Sequence, residues 1–381
     1  MKLLQRRWTA KDGWQVSRDE IGADHERVQL LLLFGGTNVL QSKELYKNLY
    51  EEFPNAIVAG CSTAGEICGN EVTDDSLVCT AIYFEHSTVK ESHIFLDNYP
   101  HADIEEVASQ LVESLVAPDL VHVFVLAEGI KINGSELVRG LAKCLPSNVG
   151  ISGGLAADAY RFKETSVVAD VMACSNVICV IGFYGSRLKV MTSLKTDWQE
   201  FGSEKKITKA NRNILYEIDR EPVLPLFEKY LGDSFREVPA SSIQYPISVK
   251  ADGDEEWMTR TIIGIDRKAG SLTFAGDVPH TYIARLMKTD IEALVQSAAH
   301  ATVGMIYKSF YPDLAILVSC FGRRGVMKKD SYKELNAVRA GFGEKTLLAG
   351  FYSYGEIGSF NNQKEAKLHN QTMAITAFIE D

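Results

Sequence analysis

An internal repeat constrains this chain more than anything else in its sequence. Residues 28–34 form an apolar run, interrupted only by Gln29 and ending at Gly35-Gly36, the pattern of a buried strand that stops in a tight turn. Residues 42–53 then place Leu45, Leu49 and Phe53 on one helical face before Pro54 ends the helix. A second strand at 56–59 runs into Gly60-Cys61-Ser62-Thr63-Ala64-Gly65-Glu66-Ile67, and 77–84 reads as a third. The same order recurs at 121–126, 134–145, the turn Gly150-Ile151-Ser152-Gly153-Gly154-Leu155-Ala156-Ala157-Asp158, and 177–184. It recurs again at 314–320, 331–340, the turn Gly350-Phe351-Tyr352-Ser353-Tyr354-Gly355-Glu356-Ile357, and 372–379. The first and third turns share G-x-x-x-x-G-E-I, while the second is looser and ends in Asp158. In this alignment Ser152 takes the position held by Ser62 and Tyr352. The repeat predicts an α/β (mixed α+β) chain built from strand–helix–strand–Gly-turn–strand modules with mixed sheets.

Between the second and third modules the pattern changes. Residues 188–196 read as a strand, 197–220 as a polar stretch, and 223–231 as a short helix closed by Gly232. Short β-rich runs follow, and 289–309 is a long helix candidate. A boundary near residue 220 divides the chain into an N-terminal domain, 28–220, with two modules and a C-terminal domain, 221–381, with one.

Composition narrows the function. With 40 Lys+Arg against 50 Asp+Glu the net charge is −10, which repels phosphate, and no basic stripe overrides it; nucleic acid is not the expected partner. The longest apolar runs fall far short of the roughly 20 residues that span a bilayer. The start, Met1-Lys2-Leu3-Leu4-Gln5-Arg6-Arg7, has no apolar run behind its basic residues. Seven Cys without a C-x-x-C pair, most inside apolar runs, read as reduced buried thiols. A cytoplasmic protein without membrane insertion is expected.

Each Gly-turn ends beside an acid: Glu66, Asp158 or Glu356. Loops beyond the carboxyl ends of strands leave room for ligands and expose backbone N–H groups. For a single turn the structural role is enough, since Gly supplies positive φ and the acid ties down the loop. For three together a small-molecule pocket stands beside that role, with Cys61, Ser62, Glu66, Ser152, Asp158, Tyr352, Tyr354, Glu356 and Asn370 as its candidate lining. An enzyme reading, a hydrolase or transferase using Ser152 in Gly150-x-Ser152-x-Gly154 or Cys61, needs a sharp strand–turn–helix that 155–165 does not suggest. A third reading is an interaction scaffold without a ligand. His369 lies in a polar turn before the last strand, after the loop 359–367, where it pins the loop or ligates haem iron. No H-x-x-x-H pair points to zinc. Arg323 and Arg324 read as an exposed pair.

The turns resemble the FIST family, a sensory module with N-terminal and C-terminal halves. The resemblance rests on the first turn and on Ser152-Gly153-Gly154-Leu155-Ala156-Ala157-Asp158. Ser319-Cys320-Phe321-Gly322-Arg323, the third turn from Ala349, and Leu368-His369-Asn370-Gln371-Thr372 complete it, across roughly residues 28–381. Ala157 stands where family members often carry Gly. The resemblance implies a signal-input protein, not an enzyme, that binds a small ligand, with amino acids proposed for the family. It further implies a partner such as a histidine kinase, a chemotaxis receptor, or a diguanylate cyclase or phosphodiesterase. Stand-alone bacterial members of similar length are described as haem proteins that sense nitric oxide, and on that analogy His369 is the iron ligand. Only about 27 residues precede the first expected strand, too few for the F-box of eukaryotic members.

Overall fold

The computed structural model describes residues 1–99, 103–169, 172–196, 198–238, 243–253, 256–306, 311–359 and 365–381. All three expected modules form with the same connectivity. The first comprises β1 (Leu30–Gly35), α1 (Lys43–Glu52), β2 (Ile57–Ser62) and β3 (Leu77–Tyr83). The second comprises β4 (Leu120–Ala127), α2 (Gly134–Cys144), β5 (Gly150–Leu155) and β6 (Val177–Tyr184). The third comprises β7 (Leu314–Cys320), α3 (Tyr332–Phe342), β8 (Leu347–Ser353) and β9 (Met373–Glu380). In each, the first two strands run parallel across the helical connection, and the return strand lies antiparallel on the first strand's other side. Of these, β1, β3, β4, β6 and β7 are buried on both faces, which is why they read as mostly apolar runs, interrupted only by Thr80, His122 and Ser319.

The modules are interlaced. Hairpin 66–73 leaves the first module and pairs with β8 of the third. Strand Gly355–Gly358 leaves the third and pairs with β5 of the second, where Lys367–His369 extends it. Hairpin 167–174 leaves the second and pairs with β2 of the first, closing the cycle. The three sheets thus surround a pseudo-threefold axis, and their inner faces share one core that includes Leu32, Phe34, Phe124, Leu126, Ile316 and Phe351. The Phe34 and Phe351 rings lie 4.7 Å apart across it.

One glycine per module fixes the register. A Cβ on Gly60, Gly153 or Gly350 would lie 1.9, 2.0 or 1.9 Å from the carbonyl oxygen of Leu33, Val125 or Leu317, the residue opposite it on the parallel strand. This equivalence corrects the alignment read from sequence. Gly153 matches Gly60, so Leu155 rather than Ser152 corresponds to Ser62 and Tyr352. Asp158 falls one position short of Glu66 and Glu356. The glycine-rich run 150–154 offers several registers, and only the strand contact selects one.

Further elements widen the sheets. Lys2–Thr9 and Gly13–Asp19 form a hairpin on the edge of β3, so two strands precede the first one expected. Arginines obscured them: the Arg6 guanidinium stacks 4.5 Å from the Trp14 ring, covering apolar surface with a charged residue. Thr88–Phe95 pairs with β6, and Leu188–Lys195 with β9. Helix Ile104–Glu113 packs on α2, and Ile291–Ala301, shorter than expected, on α3. Strands between 199 and 288 build a fourth sheet, which with helix Val223–Leu231 encloses its own core of Ile207, Leu215, Phe227, Val249 and Phe274. The stretch read as polar holds three of its strands, Gln199–Glu200, Lys205–Asn211 and Ile214–Ile218, the last two joined at Arg212 with φ 52°. Among its described residues only Trp198, Ile207, Leu215 and Ile218 are buried, too few to show in an apolar pattern. Residues 197, 307–309 and 360–364 of the sequence readings lie outside the described residues.

Candidate functional site

Beyond the carboxyl ends of the core strands, the three turns close on one another in a ring of backbone hydrogen bonds. The Ala64 amide donates to the Tyr352 carbonyl at 2.9 Å, Ala157 to Ser62 at 2.9 Å, and Tyr354 to Leu155 at 3.3 Å. Ala64, Ala157 and Tyr354 are equivalent positions, as are Tyr352, Ser62 and Leu155. Each module therefore donates to another, and turns separated by up to 290 residues (354 − 64) meet on the axis.

In the first and third modules the acid locks the turn in the same way. Glu66 accepts from the Thr63 hydroxyl at 2.6 Å and from the Ser76 amide and hydroxyl at 3.1 and 2.7 Å. Glu356 accepts from the Ser353 hydroxyl at 2.6 Å and from the Thr372 amide and hydroxyl at 3.2 and 2.9 Å. Both carboxyls are buried. Burial pushes Glu66 up to about 7 and Glu356 up to about 8, against the hydrogen bonds that favour the ionised forms.

The second module differs. Ala159 occupies the Glu66 position, and the chain loops across the end of the axis before it reaches hairpin 167–174. Asp158 holds this loop, accepting from the amides of Phe162, Lys163 and Glu164 at 2.9, 2.9 and 3.0 Å. The Tyr354 hydroxyl donates to Asp158 and lies 2.5 Å from the Ala159 carbonyl. Phe162 stacks on Tyr354 with ring centroids 4.7 Å apart, and Tyr160 meets Phe321 edge-on at 4.5 Å. Ala159 and Phe162 adopt φ of 60° and 47°, a left-handed backbone that costs about 1–2 kcal/mol per residue. Segment 159–164 is a strained loop with two aromatic rings turned partly to solvent, Tyr160 at 63% and Phe162 at 47% exposure.

Asn370 reaches this region, its amide donating to the Tyr354 carbonyl at 3.4 Å. Asn370 Oδ1 and Gln371 Oε1 are buried acceptors with no hydrogen-bond partner among the described residues. His369 lies opposite Glu356 in the strand ladder. Its ring is 1% exposed, and its pKa falls to about 3 through burial and the neighbouring Arg260 cation, against a hydrogen bond to the Gly358 backbone. Arg260 is itself buried, its guanidinium donating to the carbonyls of Asp277, Thr259 and Leu368. A haem ligand needs an imidazole with an open face and room for a porphyrin plane. An enclosed ring beside a buried guanidinium does not fit that requirement.

Family comparison agrees with this architecture along the chain. A model of the FIST N domain matches residues 29–221, and a model of the FIST C domain matches residues 224–359. The chain belongs to the FIST family. FIST domains are sensory domains in signal transduction. The chain is also similar to MJ1623, an uncharacterized protein of Methanocaldococcus jannaschii, at 22% identity over 91% of this chain and 73% of that protein.

In this FIST chain the nucleophile candidates Ser152 and Cys61 are enclosed. Ser152 sits between two sheets, 2.7 Å from His122 Nε2, and accepts from the Thr376 hydroxyl at 2.7 Å. A serine–histidine pair thus exists that the sequence spacing did not suggest. It is enclosed, with His122 at 1% exposure, and burial lowers the imidazole to about 3. Cys61 points into the shared core, and burial raises its thiol well above the ordinary range, leaving little thiolate. Ser62 Oγ accepts from the Ser166 amide at 2.9 Å, and the Tyr352 hydroxyl donates to Glu334 at 2.7 Å. Both tie the turns to their surroundings. Arg323 is fully buried and paired with Glu334 at 2.7 Å, correcting the exposed reading. Arg324 crosses from the third module to the Ala64 carbonyl at 2.5 Å and to Asp74 at 2.6 Å. Ser76, Thr372, Arg324, Tyr160 and Phe162 were not legible as site residues, because each works through a partner distant in sequence.

Proposed function

We propose that this FIST protein is the input half of a cytoplasmic signalling pair, binding a small ligand at the convergence of its three turns, beneath segment 159–164. The observation that carries the reading is the ring itself: three turns from separate modules meet at one point, and there the module symmetry is broken by a strained cover. Around it the side chains offer acceptors: Asp158 and the partnerless oxygens of Asn370 and Gln371. Acceptors select a ligand with N–H donors, and an amino acid, through its ammonium group, is the class that satisfies them. Ligand donors would compete with the Phe162–Glu164 amides for Asp158 and shift the balance between covered and uncovered states. A partner that reads the surface around Tyr160 and Phe162, a histidine kinase, a chemotaxis receptor or a cyclic-di-GMP enzyme, then receives the signal. The parts 28–220 and 221–381 act as one unit in this scheme, since hairpin 66–73 and strands Gly355–Gly358 and Lys367–His369 cross between them.

The test is thermal shift of the full chain against a panel of amino acids, beside haem loading followed by absorbance. A ligand of the native state raises the melting temperature; an amino acid that does so, and fails with Asn370→Ala, supports the site. Loss of every shift, or a shift unchanged in Asn370→Ala, contradicts it. A Soret band that weakens in His369→Ala would replace the amino-acid reading with a haem sensor.

A further inference from the structure

The pseudo-threefold arrangement places each module helix beside a strand received from another module, and two of the three contacts are closed. In the second module α2 lies so near Lys367–His369 that a Cβ on Gly134 would meet the Leu368 side chain at 2.8 Å. In the third, Arg339 of α3 donates to Asn70 of hairpin 66–73 at 3.0 Å. In the first module the contact stays open. Between α1 and strand Met172–Cys174 lies a groove of about 730 Å3, within the range of small-molecule sites. Leu40 and Tyr46 form its buried floor, and Met172 and Ala173 form its far wall.

Its polar groups are specific. The Tyr46 hydroxyl is buried, with the residue 5% exposed, and has no hydrogen-bond partner among the described residues. Burial and the neighbouring Tyr50 and Cys174 raise its pKa, so it remains a proton donor. Two cations stand on the rim. Lys47 is paired with Glu51 at 3.7 Å, while Lys43 forms no ion pair among the described residues. A buried donor without an acceptor, apolar walls and an uncommitted ammonium complement one kind of molecule.

We infer that the groove between α1 and strand Met172–Cys174 is a second binding site, for a small amphipathic organic anion such as a monocarboxylate with an aliphatic or aromatic body. The carboxylate accepts from Tyr46 and faces Lys43, and the body lies against Leu40 and Met172. This site is separate from the turn ring but mechanically linked to it. The wall strand belongs to hairpin 167–174, which directly follows segment 159–164 along the chain. An occupant would wedge against that hairpin and bear on the cover of the first site.

Octanoate is the probe, with octylamine as the cationic control, titrated calorimetrically into the full chain. Saturable octanoate binding, no comparable octylamine binding, and roughly tenfold weaker binding in Tyr46→Phe are expected. Tyr46→Phe removes a partnerless hydroxyl, so its melting temperature should hold or rise, separating lost binding from lost fold. Lys43→Gln, an exposed change, should weaken binding less. Ala173→Trp, on an edge strand, should abolish it by filling the groove. Octanoate binding of equal strength in Tyr46→Phe and Ala173→Trp, octylamine binding as tight as octanoate, or no saturable binding to the folded chain would each overturn the inference.

Discussion

The turns of the first and third modules and the turn of the second begin from the same strand position and end differently. Glu66 and Glu356 each gather two hydroxyls and one amide, and the chain passes straight into its exchanged hairpin. The second module has Ala159 there, and its acid, one residue earlier, spends its oxygens on the amides of 162–164. A single-residue displacement of a carboxylate thus separates a locked turn from a loop held by its own backbone amides. Two positions preserve the architecture, and the third is released to do something else.

The largest break in this comparison comes from the glycines that all three modules share. Gly60→Ala places a Cβ 1.9 Å from the Leu33 carbonyl oxygen, where backbone cannot yield cheaply. Chemical denaturation should show a loss above about 4 kcal/mol, or no folded protein. A loss under about 1 kcal/mol would mean the three registers are not equivalent.

The locked turns should respond to pH in a direction set by their raised pKa values. The folded chain holds protons on Glu66 and Glu356 up to about 7 and 8, whereas the unfolded chain releases them near 4.5. Between those values the native state binds more protons, so stability is greatest below pH 4.5 for these groups and falls as pH rises toward 8. The slope is about 1.4 kcal/mol per pH unit for each group. Glu66→Gln and Glu356→Gln should each flatten this decline in denaturant titrations across pH 5–8. A decline that persists undiminished in both variants would contradict the buried, protonated acids that lock these two turns.

A smaller effect sharpens the same contrast. Asp158→Ala should cost about 1–3 kcal/mol from lost charge-assisted bonds to amides, and it should release segment 159–164 without dissolving the ring. Limited proteolysis should then cut at 159–164 while the exchanged hairpins stay intact. Cleavage spread over the core would show that Asp158 supports the fold as a whole.

Much of the fold was legible in the sequence. Strands buried on both faces, such as β1 and β6, announce themselves as unbroken apolar runs, and α1 and α2 lie within a residue or two of their expected ends. The exchange of hairpins was not legible. Glu66–Cys68 and Val167–Ala169 are three-residue strands whose partners lie in other modules, and no local period encodes a partner. The candidate site was legible in part. Glu66 and Glu356 stood out by repetition and share one bonding pattern, but Asp158 was aligned with them by its charge, one residue out of register. His369 drew notice by its place in the chain, yet its enclosure depends on Arg260, more than 100 residues away. The Ser152–His122 pair escaped notice because parallel strands bring it together, not spacing.

The central claim is that segment 159–164 covers a ligand site on the pseudo-threefold axis. Hydrogen exchange at the Phe162, Lys163 and Glu164 amides tests it most directly, with and without whichever panel amino acid raises the melting temperature. The account predicts that ligand alters exchange at these three amides, while the ring amides of Ala64, Ala157 and Tyr354 stay protected in both states. A ligand that stabilises the protein yet leaves the 162–164 amides unchanged would place binding elsewhere and contradict it.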